Sequence, residues 1–268
     1  MSYDIDLDFI GTEKKNEMEI KRPDIINKIK DISIEKGYVV KITLPSYIME
    51  RLELKYESTR HIRGIIKIEI NFLNRMPLMP LQEKEFYNLF SHVIENFKIT
   101  TYDLHELLAI KITTFLQRKK GRDLFDIFSI LNLKSELDFQ ELKSLILLYL
   151  MMILRDKLKK IIQNTRFENL SGELTNSLNT LDIDSLQKEI SEEIPLNYPL
   201  EIDKMKTDIA NMFLQIPPLT TNDKNMWNDF FLHNIFDPKH IIDGSNRINK
   251  KLSNHPSILR RIEQDFKK

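Results

Sequence analysis

Residues 1–11, MSYDIDLDFIG, place three aspartates at alternate positions of a strand-like run. Successive residues of a β-strand point to opposite faces of the sheet, so Asp4, Asp6 and Asp8 would share one face. The apolar residues of the run would line the other face: Ile5, Leu7 and Phe9. Three like charges in neighbouring positions repel each other, and a bound cation would explain their presence. This stretch therefore predicts a strand with a metal site on its polar face.

A second stretch, IIKIEINF at residues 65–72, alternates in the same way and places Glu69 on its polar side. If this strand neighbours the first strand in one sheet, Glu69 shares a face with Asp4 and Asp6. Three carboxylates suit Mg²⁺ or Mn²⁺, the ions that hold polyphosphates in enzymes. The alternative is that Glu69 is an ordinary solvent-facing residue of its strand.

The composition excludes several classes of site and partner. The 268 residues contain 40 Lys and Arg against 40 Asp and Glu, so the overall charge favours neither nucleic acid nor membrane. The absence of cysteine excludes disulfides, zinc–thiolate sites and cysteine nucleophiles. The longest apolar run, SLILLYLMMIL at residues 144–154, is too short to span a membrane and predicts a buried helix. The N-terminus has no signal-peptide pattern, so we expect a cytoplasmic protein without membrane contact.

Strand-like runs come before helical periodicity along the chain. A helix is expected to begin near Pro23 and to end at Gly37. Further runs of period two predict strands at residues 38–44, 51–57 and 65–72. From residue 101 onward the pattern is helical. We therefore expect an α+β unit over residues 1–135, followed by a helical domain over residues 136–268.

The first helix of the helical region carries a lysine on its apolar face. Asp103 is expected to cap this helix together with Glu106, and Gly121 to close it. Lys111 shares one stripe with the apolar residues Leu104, Leu108 and Phe115. Its side chain can extend past the core to water, or it can reach into a cleft and meet phosphate oxygens or a carboxylate.

The following stretch, QRKKGRDLFDIF, combines basic and acidic residues. Arg118 and Arg122 would complement the negative end of the helix, or would contact a triphosphate or RNA backbone. Asp123 and Asp126 stand three residues apart on the next helix and share a side. Asp123 can be a simple N-terminal cap. Asp126 borders an apolar stripe and needs a cation, either Lys111 or Arg122, in a pair that is structural or functional.

The strand SYDIDLDF, the strand KIEINF and the stretch LHELLAIKITTFLQRKKGRDLFDI together resemble the AbiEii/MenT-type toxins. These are nucleotidyltransferase-like proteins of type IV toxin–antitoxin and abortive-infection systems. The family has an Asp-x-Asp strand and, later, a helical lysine followed by an Arg-Asp-x-x-Asp helix. The match covers about the first half of the chain. It implies a nucleotidyltransferase-like fold, in which a mixed β-sheet core with flanking helices precedes a helical C-terminal domain.

The resemblance also implies a role for each matching residue. Asp4, Asp6 and Glu69 would bind Mg²⁺ or Mn²⁺ and act in catalysis. Lys111 and Asp126 would complete the catalytic residues. The nucleotide would be bound by Lys111, Arg118, Arg122 and Asp123.

The implied activity is metal-dependent transfer of a nucleoside monophosphate from a nucleoside triphosphate to a hydroxyl group. The acceptor would be an RNA such as tRNA, or a protein, and the chain would act as a toxin with a cognate antitoxin as partner. One alternative is a catalytically weakened relative that binds nucleic acid or a partner protein. A metal-dependent nuclease also uses clustered acids, but it does not explain the lysine helix followed by RDLFD.

One family motif is missing from the sequence. A Gly-Ser turn, whose backbone amides would hold the triphosphate, should precede the Asp-x-Asp strand. Only Met1, Ser2 and Tyr3 stand before that strand. We therefore expect either a start codon upstream of Met1 or a shortened form with weakened nucleotide affinity.

Overall fold

The computed structural model of the chain describes residues 4–43, 46–58, 61–86, 95–133, 136–153, 169–182, 186, 188–190 and 201–265. Two compact units make up the structure. Unit 1 comprises Met1–Pro77 and Asn254–Lys267, and unit 2 comprises Leu78–Ser253. The domain boundary between residues 135 and 136 stays a prediction.

Unit 1 is built on a four-stranded mixed sheet. Its strands are β1 (Asp4–Asp8), β2 (Val39–Thr43), β3 (Met49–Glu57) and β4 (Arg63–Asn71), in the spatial order β1-β4-β3-β2. β1 runs parallel to β4, and the other neighbouring pairs are antiparallel. Helix α1 (Lys15–Glu35) connects β1 to β2. The mixed sheet and the many helices confirm the predicted fold class.

The core of unit 1 lies on one face of this sheet. The buried apolar cluster contains alternate residues of β3 and β4, the residues that directly follow β1 and β4, and two residues of α1: Phe9, Met18, Ile26, Leu52, Leu54, Ile68, Ile70 and Phe72. Because strand side chains alternate between the faces, the residues between these apolar positions point to the opposite face. That opposite face carries Asp4, Asp6 and Glu69, as the sequence predicts.

Helix α1 begins earlier than the sequence indicates. It starts at Lys15, and Pro23 lies inside it, so the expectation that Pro23 marks the start was wrong. The expected end at Gly37 is close to the observed end. Gly37 has a φ of +86°, a left-handed conformation that glycine adopts without a steric penalty. Its N–H donates to the carbonyl of Ile34, which stops the helix before β2.

Unit 2 begins with an antiparallel pair of short polar strands that the sequence analysis missed, β5 (Gln82–Glu85) and β6 (Lys98–Thr101). The helices of unit 2 then follow in chain order: α2 (Leu104–Arg118), α3 (Gly121–Leu131), α4 (Phe139–Ile153), α5 (Leu170–Asn179), α6 (Ile202–Gln215), α7 (Thr221–His233) and α8 (Lys239–Gly244). A 3-10 turn spans Leu252–Asn254. Helix α9 (Pro256–Asp265) belongs to unit 1.

The apolar helix α4 forms the centre of the core of unit 2. Its residues from Leu145 to Met151 are all buried, which confirms the predicted buried helix. α4 packs against α2, and α2 in turn packs against α3. This packing fixes the positions of α2 and α3, the helices that carry Lys111 and Asp126. Among the described residues, no helix is both long and apolar enough to cross a membrane.

Candidate active site

Two neighbouring strands of unit 1 bring together the acids predicted to bind metal. The parallel register of β1 and β4 pairs Asp6 with Glu69 and Asp4 with Lys67. Neighbouring strands lie about 4.8 Å apart, so the side chains of Asp6 and Glu69 leave the same face next to each other. The condition that the two strands are neighbours is therefore met. The metal-binding and catalytic roles of these residues stay predictions.

Basic side chains of the chain itself lie against these acids. Arg51 on β3 is the direct cross-strand partner of Glu69, and its Nη2 lies 2.5 Å from a Glu69 carboxylate oxygen. The Nζ of Lys67 lies 4.0 Å from a carboxylate oxygen of Asp4. Both arginine and lysine reduce the repulsion between carboxylates on this open face. The acids of this face are therefore partly neutralised by Arg51 and Lys67.

The donor chemistry of this face fits a hard divalent cation. Asp4, Asp6 and Glu69 offer carboxylate oxygens, the ligands that Mg²⁺ and Mn²⁺ prefer. In the part of the chain that the structure describes, no three His, Asp or Glu side chains are gathered closely enough to hold a metal ion. Glu69 is instead turned toward Arg51. Metal binding would therefore require these side chains to rearrange.

In unit 2, the helices α2 and α3 join the predicted lysine and aspartate. The Nζ of Lys111 donates to a carboxylate oxygen of Asp126 at 2.6 Å. Lys111 and Arg122 were the two expected cationic partners of Asp126, and the structure shows the ion pair with Lys111. The side chains remain 32% and 41% exposed, so a ligand could reach this pair without unfolding either helix. The functional role of this pair stays a prediction.

A second ion pair fixes the start of α3. Arg118 donates to both carboxylate oxygens of Asp123 from its Nε and Nη2, at 2.8 and 2.5 Å. The side chain of Asp123 is fully buried, whereas that of Arg118 is 43% exposed. A nucleotide would therefore meet Arg118 before it could meet Asp123. The nucleotide-binding roles of Arg118, Arg122 and Asp123 stay predictions.

The ends of these two helices differ from the sequence interpretation. Lys119, with a φ of +48°, ends α2, whereas Gly121 begins α3. The residue before α3 is Lys120, and the Gly121 N–H donates to the carboxylate of Glu189 at 2.7 Å. The interpretation of Asp123 as a cap was therefore wrong. A carboxylate distant in sequence does the capping, which local spacing could not reveal.

Glu106 is a buried acid whose role the sequence analysis missed. Asp103 caps α2 as expected, but Glu106 accepts hydrogen bonds from the N–H groups of Leu78 and Met79 and from the hydroxyl of Tyr149. Burial raises the pKa of Glu106 to about 7, although these hydrogen bonds favour the charged form. Its partners lie far away in the sequence, so the spacing from Asp103 suggested a capping box that does not form.

Unit 2 also contains a polar cavity of about 470 Å³ beside α4, α7 and α8. The buried Lys143 donates to Asp223 at 2.7 Å, and His240 Nε2 lies 3.1 Å from the same carboxylate. Asp223 also forms a capping box with Thr220 at the start of α7. These contacts join three helices, and no local sequence motif predicted them.

The fold and the placement of these residues define a class of protein. A mixed sheet with an Asp-x-Asp edge strand and a third acid on the adjacent strand is typical of a nucleotidyltransferase-like protein. The helical Lys111 and Asp126 agree with that class.

The family model described as "Nucleotidyl transferase AbiEii toxin, Type IV TA system" matches residues 1–230. The chain therefore belongs to the AbiEii family of nucleotidyltransferase toxins of type IV toxin–antitoxin systems, as the sequence motifs predicted. This membership confirms the expectation of a nucleotidyltransferase at the level of the family. No curated protein matches the sequence.

A solved structure has a similar fold. MenT4, a nucleotidyltransferase toxin from Mycobacterium tuberculosis H37Rv, is similar with a TM-score of 0.51 and 16% sequence identity. The match covers 83% of this chain and 67% of MenT4. At this level of identity, the similarity shows a shared fold only.

Proposed function

We propose that the chain transfers a nucleoside monophosphate from a nucleoside triphosphate to a hydroxyl of RNA, and that it acts as a toxin in this way. The observation that carries the proposal is the side-by-side placement of Asp6 and Glu69 on adjacent parallel strands, with Asp4 on the same face. Membership of a nucleotidyltransferase toxin family supports the reaction type. The reaction would take place in the cytoplasm, where nucleoside triphosphates and RNA are abundant.

The three acids on this face would hold Mg²⁺ or Mn²⁺. When bound by Asp4, Asp6 and Glu69, the ion would neutralise phosphate charge and lower the pKa of the acceptor hydroxyl. The acids themselves have two tasks. They would hold the ion, and one of these carboxylates would accept the proton that the hydroxyl loses.

The proposed reaction forms one bond and breaks one bond at the α-phosphorus. The acceptor oxygen forms a bond to the α-phosphorus. The bond between the α-phosphorus and the oxygen that bridges it to the β-phosphorus breaks, and pyrophosphate leaves. On the basis of the family resemblance, Lys111 would contact the nucleotide phosphates. Arg118 and Arg122 would add positive charge for the triphosphate or the RNA backbone.

Two further parts of the proposal concern partners. A type IV toxin is expected to have a cognate antitoxin, so we propose that one exists for this chain. RNA, with tRNA as the first candidate, is the proposed acceptor, and a protein hydroxyl is the other acceptor that a labelling experiment would reveal. A chain that binds RNA without modifying it would instead be a catalytically weakened relative.

The test is incubation of the purified chain with Mg²⁺, total cellular RNA and each α-labelled nucleoside triphosphate in turn. We expect label on RNA with the wild type and none with Asp6→Asn. Asp31→Asn makes the same chemical change at an exposed position of α1 and should retain activity. Label on protein alone would show that the acceptor is a protein and not RNA. The absence of label with every nucleotide would contradict the proposed activity.

A further inference from the structure

Arg51 lies against the third acid of the proposed site. β3 and β4 place Arg51 directly opposite Glu69, on the sheet face that also carries Asp4 and Asp6. The ion pair joins Arg51 Nη2 to Glu69 Oε1 at 2.5 Å. Glu69 therefore has an acid of β1 on one side and a guanidinium of β3 on the other.

A second arginine of unit 1, Arg22, has a structural role and can be compared with Arg51. Arg22 pairs with the buried Glu50, donates to the carbonyls of Ser46 and Tyr47, and lies over the ring of Phe72. Its side chain is 17% exposed and held from several sides. Arg51 differs in both respects.

The side chain of Arg51 is 46% exposed, and its ion pair with Glu69 lies on the open face of the sheet. An ion pair with this exposure contributes little to the stability of a fold because water screens it. The pair can therefore open at low cost when another charged group arrives. Two kinds of charged group would open it, a cation that takes Glu69 and an anion that takes Arg51.

We infer that Arg51 competes with the divalent cation for Glu69 and binds a phosphate group of the substrate, an inference that rests on the proposed function. In the metal-free protein the guanidinium holds Glu69 and offsets its charge. A phosphate group of the substrate matches the fork of an arginine, and it draws Arg51 away from Glu69. Glu69 is then free for the cation, so that the binding of metal and the binding of substrate favour each other.

Removing the competitor should strengthen metal binding in the absence of substrate. We expect Arg51→Gln to bind Mn²⁺ about two- to fivefold more tightly than the wild type, the range that follows from breaking one exposed ion pair. Arg51→Lys keeps the positive charge and should restore an affinity close to that of the wild type. Because Arg51 also receives the phosphate, Arg51→Gln should raise KM for the nucleotide more than it lowers kcat.

A matched control separates this competition from the loss of a positive charge in general. Lys55 lies on the same strand and face, roughly 14 Å along β3 from Arg51. That separation exceeds the Debye length of about 10 Å at 0.1 M salt, so Lys55→Gln should leave Mn²⁺ affinity unchanged. A thermal melt of each variant checks that the fold is retained.

The experiment is a titration of the full chain with Mn²⁺, followed by electron paramagnetic resonance of the free ion, without nucleotide. Tighter binding by Arg51→Gln than by both the wild type and Lys55→Gln would support the competition. Equal affinities, in a protein whose Mn²⁺ binding is lost in Asp6→Asn, would overturn the role of Arg51 and leave the metal site standing. No binding of Mn²⁺ by the wild type would overturn the competition, whereas nucleotide transfer is tested separately by the labelling of RNA.

Discussion

The raised pKa of the buried Glu106 carboxyl predicts that the stability of the chain depends on pH. Its pKa of about 7 in the folded protein lies above the ordinary value of 4.5, because burial disfavours the charged form. The folded state therefore binds the proton more tightly than the unfolded state does. The stabilisation from this proton is fully present below pH 4.5 and is lost as the pH rises to about 7.

The size of the effect follows from the two pKa values. Each pK unit corresponds to about 1.4 kcal/mol, so the free energy of unfolding should fall by about 3 kcal/mol between pH 4.5 and 7 on account of Glu106. Glu106→Gln removes the titrating group. Its amide also places an N–H group where the carboxylate accepted from Met79, so the variant should be less stable at pH 5.

The assay is urea unfolding of the wild type and Glu106→Gln at half-unit steps from pH 4.5 to 8. The difference in unfolding free energy between the two proteins isolates Glu106, because all other titrating groups are shared. We expect the advantage of the wild type to shrink by about 3 kcal/mol from pH 4.5 to 7 and to level off by about pH 8. A difference that does not change with pH would refute the raised pKa.

Two other substitutions, one in each unit, test the roles of Lys111 and His255. Lys111→Met should weaken nucleotide binding about tenfold, whereas Lys28→Met on α1 should not; equal calorimetric affinities would assign Lys111 to packing. Burial lowers the pKa of His255 from 6.5 to about 4, so its stabilising contribution is present above pH 6.5 and is lost as the pH falls toward 4. His255→Gln should make unfolding less sensitive to acid over that interval, and an unchanged acid profile would contradict the assignment.

The parts of the structure that the sequence predicted correctly are those with local periodicity. The alternation around Asp6 and Glu69 fixed which side chains share a face, and the observed register then made them neighbours. Helical spacing likewise placed Lys111 on the apolar stripe of α2 and Asp126 at the border of the apolar stripe of α3. The structure then shows that Lys111, one of the two expected partners of Asp126, forms the ion pair. In each case a short window contains the signal, because side-chain direction follows from the local backbone.

The parts that the sequence did not predict depend on contacts between distant segments. Glu106 binds the amides of Leu78 and Met79, and Glu189 caps α3 at Gly121. The short, polar strands β5 and β6 have too few apolar residues to show a period of two. Arg51 lies in a run that was correctly predicted as a strand, but only the register of β3 and β4 shows that its partner is Glu69.

The most direct test of nucleotide transfer compares the fates of two phosphates. The chain is incubated with Mg²⁺ and RNA, in parallel with α-labelled and γ-labelled nucleoside triphosphate, and the RNA and the released phosphates are separated. The account predicts α-label on the RNA and γ-label in pyrophosphate, with both lost in Asp6→Asn. The appearance of γ-label on the RNA would show transfer of the terminal phosphoryl group and would contradict the proposed reaction.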